Sequence, residues 1–365
     1  MPHIPDDSLA EPALPRAVHF AEQALLGALL LEPHRTAGIG LEAEHFSNRT
    51  HGILFAAMRR VPPPDPQHHA TDAAWLAAVY AEARPRAPGL PHTYPHTLVQ
   101  ACPRPEHATA YARMVRADHA RRTLRMHAER LAWTAGDTTL PDRAAATAEQ
   151  ADRLAVFLEE LLGEFPPHPG SLPRTTLPPG PMRSPEDDTV DDERLLLASA
   201  TASPRKIHTM RWLRPTDFVV PDHGALWQVL TGLVHRREPV DPVTVLWQAQ
   251  QSGTPAGAFT TRGLLALLSA PHGSPEHWGE RIVRRALLHH AHTVADRITA
   301  FADDPANTPY QLIAGSRRTL VDFAVIRTRW QRSTSPATPV SAHTSAASRA
   351  GPPRTFPSSP VRATR

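Results

Sequence analysis

Stretches of helical hydrophobic periodicity alternate with short prolyl breaks along this chain, and the sequence makes the same pattern twice. Ala21, Ala24, Leu25, Ala28 and Leu29 fall at three-and-four spacing, which predicts one apolar helical face with Glu22 and Gln23 turned outward. Pro33 ends that helix. In the next element Phe46 anchors the entry, Thr50 is the expected cap, and Ile53, Leu54, Ala57 and Met58 carry the apolar face toward Val61. A later stripe of Trp75, Leu76 and Val79 reads as core.

Roughly 171 residues further on the pattern returns as Glu193-Arg-Leu-Leu-Leu-Ala, then Leu213 to Asp217, then Phe218-Val-Val-Pro-Asp-His223-Gly-Ala-Leu-Trp227. Phe46 precedes His51 by the same interval as Phe218 precedes His223, and Gly follows both histidines. A repeat this long predicts two similar domains, not a solenoid. With no cysteine or acidic constellation recognised around either copy, His51 and His223 read as structural histidines at helix junctions.

Each copy ends in an expected helical hairpin. In the first, Leu124, Ala128 and Leu131 form one seam. Residues Gly136 to Asp142 make the turn, and Thr147, Ala151, Leu154, Leu158 and Leu161 form the returning seam. In the second, Leu287, Ala291, Val294, Ile298 and Phe301 lead to Pro305–Pro309, and Ile313, Leu320, Phe323 and Trp330 return. Such seams bury against each other or against another chain. Leu124, Leu131, Leu154, Leu158, Leu161, Leu287, Val294 and Ile298 are therefore the candidate partner interface, with pairing of the two copies inside one chain the favoured arrangement.

The organisation expected is all-α. A loose arm over 1–15 precedes a first domain over 16–165, a small bundle followed by its hairpin. A proline-rich, acidic linker over 166–190 leads to a second such domain over 191–330, and an Arg/Ser/Pro-rich tail over 331–365 is expected to be disordered. The acidic run 186–193 is expected to favour the start of the helix it enters.

The run Ala21-Glu22-Gln23-Ala24-Leu25-Leu26-Gly27-Ala28-Leu29-Leu30, with Phe46 and His51-Gly-Ile-Leu-Phe55, resembles the N-terminal domain of bacterial replicative DNA helicases of the DnaB type. Glu106-His107 with Tyr111-Ala112-Arg113-Met114-Val115-Arg116 is similar to that domain's penultimate helix. Glu276-His277 with Arg281-Ile282-Val283-Arg284 repeats it. Val240-Asp241-Pro242-Val243-Thr244-Val245-Leu246 resembles the family's short helix over the core, and Thr71-Asp72 to Leu76 matches it more weakly. The second copy departs from the opening motif at Arg194 and Ala198. The resemblance implies a non-enzymatic, replication-associated adaptor. It would bind a replicative helicase, a primase-like protein or its own copies through helical hairpins.

Composition narrows the alternatives. Lys206 is the only lysine, and it lies in Ser203-Pro204-Arg205-Lys206-Ile207 without a glycine, so the phosphate-cradling loop of a helicase motor is missing from the sequence. No helicase or ATPase activity, cofactor or small-molecule substrate is expected. Cys102 is the single cysteine, which rules out an internal disulfide and a Cys-rich zinc site. The close histidines His289, His290 and His292, and the pair His92 and His96 split by Pro95, bring no further ligands with metal-site spacing. No apolar run reaches membrane-spanning length, and a cytoplasmic location is expected. The alternative function is a DNA-binding regulator that uses Arg332, Arg349, Arg354, Arg362 and Arg365 of the tail, whose contacts would weaken with salt. Arg113, Arg116, Arg121, Arg122 and Arg125 are expected to form an ordinary solvated surface.

Overall fold

A computed structural model describes residues 16–65, 69, 74–168, 172–177, 187–253, 260–271 and 273–335. Among these residues all regular structure is helical. No described helix is long and apolar enough to cross a membrane.

The first copy comprises α1 (Ala17–Leu31), α2 (Arg49–Arg60), α3 (Ala74–Ala83), α4 (Tyr94–Gln100), α5 (Ala108–Gly136) and α6 (Arg143–Glu164). The second repeats the order with α7 (Asp187–Ala202), a short α8 (Pro204–Ile207), α9 (Pro221–Arg236), α10 (Pro242–Gln251), α11 (Thr261–Leu268), α12 (Pro275–Asp303) and α13 (Pro309–Thr334). In each copy the first four principal helices form a head, and the last two form a hairpin.

Several helix starts follow from side-chain caps. Asn48 accepts from the amides of Thr50 and His51, so Asn48, not Thr50, caps α2. Asp241 caps α10, and Thr308 with Gln311 forms a reciprocal capping box at α13. Pro95 opens α4 at a position where its missing N–H has no helical partner to lose, and His92 lies outside that helix.

Two ends differ from the sequence expectation. Helix α7 starts at Asp187, inside the segment assigned to the linker, and α13 continues through Gln331 to Thr334, inside the segment assigned to the tail. At α7, acidic side chains in the first turns suit the helix N-terminus, and Asp192 ties the helix to α12. The arm over 1–15 lies outside the described residues.

The hairpins pair with each other. Helices α5, α6, α13 and α12 form a four-helix bundle in which α12 packs against both α5 and α13. Arg121 on α5 meets the end of α12 at Ala302, and Gly136 at the end of α5 lies against His292, so α5 and α12 run antiparallel. The Arg317–Glu159 pair at 3.0 Å and the Arg327–Asp152 pair show that α6 and α13 run antiparallel as well. Each head thus sits beside the tip of the opposite hairpin. The first head keeps a core of its own, from Leu25 to Val115, whereas the core of the second head runs without a break into the bundle.

Candidate interaction site: a duplicated lock and a closed pair of hairpins

Both heads are fastened by the same buried pair. In the first, His51 Nδ1 donates to Glu22 Oε2 at 2.7 Å, and the amides of Ser47 and Asn48 donate to the same carboxylate at 2.5 and 3.4 Å. In the second, His223 Nδ1 donates to Glu193 Oε2 at 2.7 Å, and the amides of Val219 and Val220 donate at 2.5 and 3.3 Å. One carboxylate therefore ties the opening helix of each head to the start of the helix carrying the histidine. Glu22, Glu193, His51 and His223 are all buried. Glu22 does not point outward as its helical position suggested. Helix α1 is packed on several sides, and its acid is accommodated by three donors.

The histidine ring of the first copy is held at its other edge as well. Nε2 of His51 lies 2.7 Å from the Tyr94 hydroxyl, and His19 stacks on the ring at 5.3 Å between centroids. Burial pushes the Glu22 carboxyl upward, but the His51 hydrogen bond, the Ser47 amide and hydroxyl, and the His51 charge outweigh it and hold the pKa below its ordinary value. The glycine after each histidine has a steric cause. A Cβ at Gly52 would run into the carbonyl oxygen of Ala43, and one at Gly224 would run into that of Pro215. Each lock fastens the opening helix of its head to the next through a fully buried contact.

The proposed partner-interface residues come together inside one chain. Leu124, Leu131, Leu154, Leu158, Leu161, Leu287, Val294 and Ile298 are all buried in the shared core of the bundle. They are consumed by pairing in cis, so none of them presents an apolar face to a second protein. Burial of this set contributes about 1.5–3 kcal/mol for each large aliphatic side chain.

Arginines that the sequence assigned to an ordinary solvated surface fasten the tip of the second hairpin. Arg121 donates to the carbonyls of Ala302, Asp304 and Asn307 at 2.8, 2.7 and 2.7 Å, which satisfies acceptors at the end of α12. Arg125 pairs with Asp303 at 2.6 Å. Arg122 donates to the His45 carbonyl at 2.8 Å, and Arg116 to that of Gly40. The α5 arginines are therefore joints between parts of the chain, not simply a solvated face. Arg113 remains exposed.

The acidic run also does more than favour a helix start. Asp192 is buried and accepts from Arg281 at 2.8 Å and from Arg285, joining α7 to α12. Of the tail arginines, Arg332 is exposed on the last turn of α13, while Arg349, Arg354, Arg362 and Arg365 lie outside the described residues. Among the described residues, no group of three or more His, Cys, Asp or Glu side chains is arranged to hold a metal ion.

Sequence signals existed for part of this. Glu22 and Glu193 stand almost the same distance before His51 and His223, so the carboxylate partner recurs with the histidine. Nothing comparable marked Arg121 or Asn307, whose contacts span more than a hundred residues.

Neither curated proteins nor solved structures give a match to this chain. A family model described as the DnaB-like helicase N terminal domain matches residues 14–117 and 186–276, more than half of the sequence. The two matches cover the two heads, including both Glu–His locks, and leave most of the hairpins outside. The chain belongs to the DnaB-like helicase N-terminal domain family and carries that domain twice.

Proposed function

We propose that this chain is a non-enzymatic, replication-associated adaptor that binds a replicative helicase or a primase-like protein. The observation that supports this reading is the closure of the two hairpins on each other. One chain supplies both halves of a paired-hairpin unit and presents two family heads without recruiting a second subunit. With the seams occupied, contact falls to the heads and the outer faces of the bundle. Trp133 on α5, and Val243 with Trp247 one turn apart on α10, are exposed there and are the first positions to test.

The test is size-exclusion chromatography with light scattering on the full chain, alone and mixed with the replicative helicase of the same cell. The adaptor reading expects a mixed complex that persists when residues 336–365 are removed and weakens when Trp133 or Trp247 is changed to Ala. A chain that ignores both helicase and primase overturns it. Retention on DNA that is lost with the tail and falls steeply with salt would favour the DNA-binding alternative instead.

A further inference from the structure

The first part of the linker does not simply connect the two copies. His168 Nε2 lies 2.8 Å from the Thr308 hydroxyl, and Gln311 Nε2 donates to the Leu172 carbonyl at 3.1 Å. The Arg174 amide donates to Asn307 Oδ1 at 3.3 Å, and the Thr175 hydroxyl donates to Asp304 Oδ2 at 2.6 Å. Asn307, almost fully buried, completes the joint by donating to Thr175 Oγ1 at 2.7 Å and to the Phe301 carbonyl at 3.0 Å. Pro173 packs over Gly315, where any added Cβ would strike its ring and approach Phe301 to 2.9 Å. The tip of the second hairpin is thus held from one side by Arg121 of the first copy and from the other by the linker.

We propose that His168 and residues 172–175 act as a strap that keeps the two hairpins paired within one chain, and that releasing it allows hairpin exchange with a second copy of this chain. Connectivity alone does not enforce pairing in cis. Between the end of α6 and the start of α7 run roughly 22 residues, a reach of about 75 Å when extended, enough for the second copy to seat on another chain's bundle. With the strap engaged through Thr175, roughly 11 residues separate it from α7, a reach of about 37 Å when extended. Doubling the free tether lowers the effective concentration of the cis partner by about threefold, because that concentration falls roughly as the −3/2 power of linker length. Releasing the strap also removes its hydrogen bonds from the hairpin tip. The seams that pair in cis are the same surfaces that would pair in trans, so exchange needs no new interface. This inference holds whether or not the chain binds a helicase.

The test uses the full chain carrying His168→Ala, Pro173→Gly and Thr175→Ala together, all on the linker and none in the helical core. Light scattering is measured across a wide range of chain concentration, with a tagged and an untagged copy refolded together. The wild-type chain is expected to stay monomeric and to leave its tagged copy unpartnered. The strap variant is expected to form a dimer, severalfold more abundant than in wild type and rising with concentration, that captures the untagged copy. Asn307→Ala, which loosens the same joint from the bundle side, should act in the same direction. A strap variant with wild-type helicity that remains as monomeric as wild type overturns the proposal, as does a wild-type chain that dimerises to the same extent as the variant.

Discussion

Arg329 grips Asp217 in a buried two-point ion pair, with Nη1 2.6 Å from Oδ2 and Nη2 3.0 Å from Oδ1. The same guanidinium donates to the Trp212 carbonyl at 3.2 Å, and Asp217 also accepts from the Arg214 amide at 2.7 Å. The last turns of α13 are thereby fixed to the loop that leads into α9. This joint gives the second head and the bundle a polar link beside their continuous core.

Arg329→Ala leaves Asp217 buried without its main counter-charge, which costs about 3–5 kcal/mol for a pair of this kind. Chemical denaturation should show a loss of that size, whereas Arg332→Ala, one turn away and exposed, should stay within about 0.5 kcal/mol of wild type. Equal effects of the two substitutions would remove Arg329 from its role as a joint.

The Glu22 lock makes stability depend on pH. Its carboxyl titrates below the ordinary value of 4.5, so the folded state releases this proton more readily than the unfolded chain. The resulting stabilisation is fully present above the ordinary value and is lost as pH falls through the depressed one. Glu22→Gln should lower stability at neutral pH by about 1–3 kcal/mol, since its partners are buried, and should flatten the acid side of the stability profile. Denaturation midpoints of both proteins across the acid range give the comparison. A variant that tracks wild type in parallel would show that the carboxylate is not the titrating group.

Gly52→Ala and Gly224→Ala should both destabilise, although alanine in a helix interior ordinarily gains about 1 kcal/mol over glycine. Each added methyl would meet a backbone carbonyl, of Ala43 or Pro215, that the capped turn holds in place. Overpacking against a fixed neighbour costs about 1–3 kcal/mol, enough to reverse the sign. Gly38→Ala is a suitable contrast because open space surrounds that position. Thermal midpoints should fall for the first two substitutions and not for the third.

The repeat was legible because its markers are local. The Phe-to-His interval and the following Gly sit within one turn and one helix start, and the hairpin seams recur at helical spacing along single helices. What escaped lies between distant segments. Glu22 occupies a position that periodicity assigns to water, yet Leu25, Leu26 and Leu29 around it are all fully buried, because α1 is covered on several faces. One amphipathic stripe is the wrong template for such a helix. Asn48 took the cap from Thr50 by a shift of two residues, within the ordinary blur of helix ends. Asn307 and Arg121 look like surface residues in sequence, and only the tertiary fold brings the linker and α5 to the same turn.

His45 and His119 meet edge to face, with ring centroids 4.5 Å apart, where the first head rests on α5. Burial, then the neighbouring charges of His45 and Arg122, lowers the His119 pKa to about 4, against the opposing pull of Asp118 and Glu44. His45 is lowered too, by burial and then by the Arg116 charge. An unfolded chain takes up the His119 proton near its ordinary value of 6.5, while the folded chain refuses it until about 4. The contribution to stability is therefore constant above that ordinary value and declines as pH drops from it toward the folded value. His119→Gln removes this uptake, so the gap between variant and wild-type stability should narrow, or invert, as pH is lowered through that window. Amide exchange along α1 and the start of α5 should rise in acid for wild type more than for the variant. If both proteins lose protection in step, the His45–His119 contact does not set the acid sensitivity of this junction.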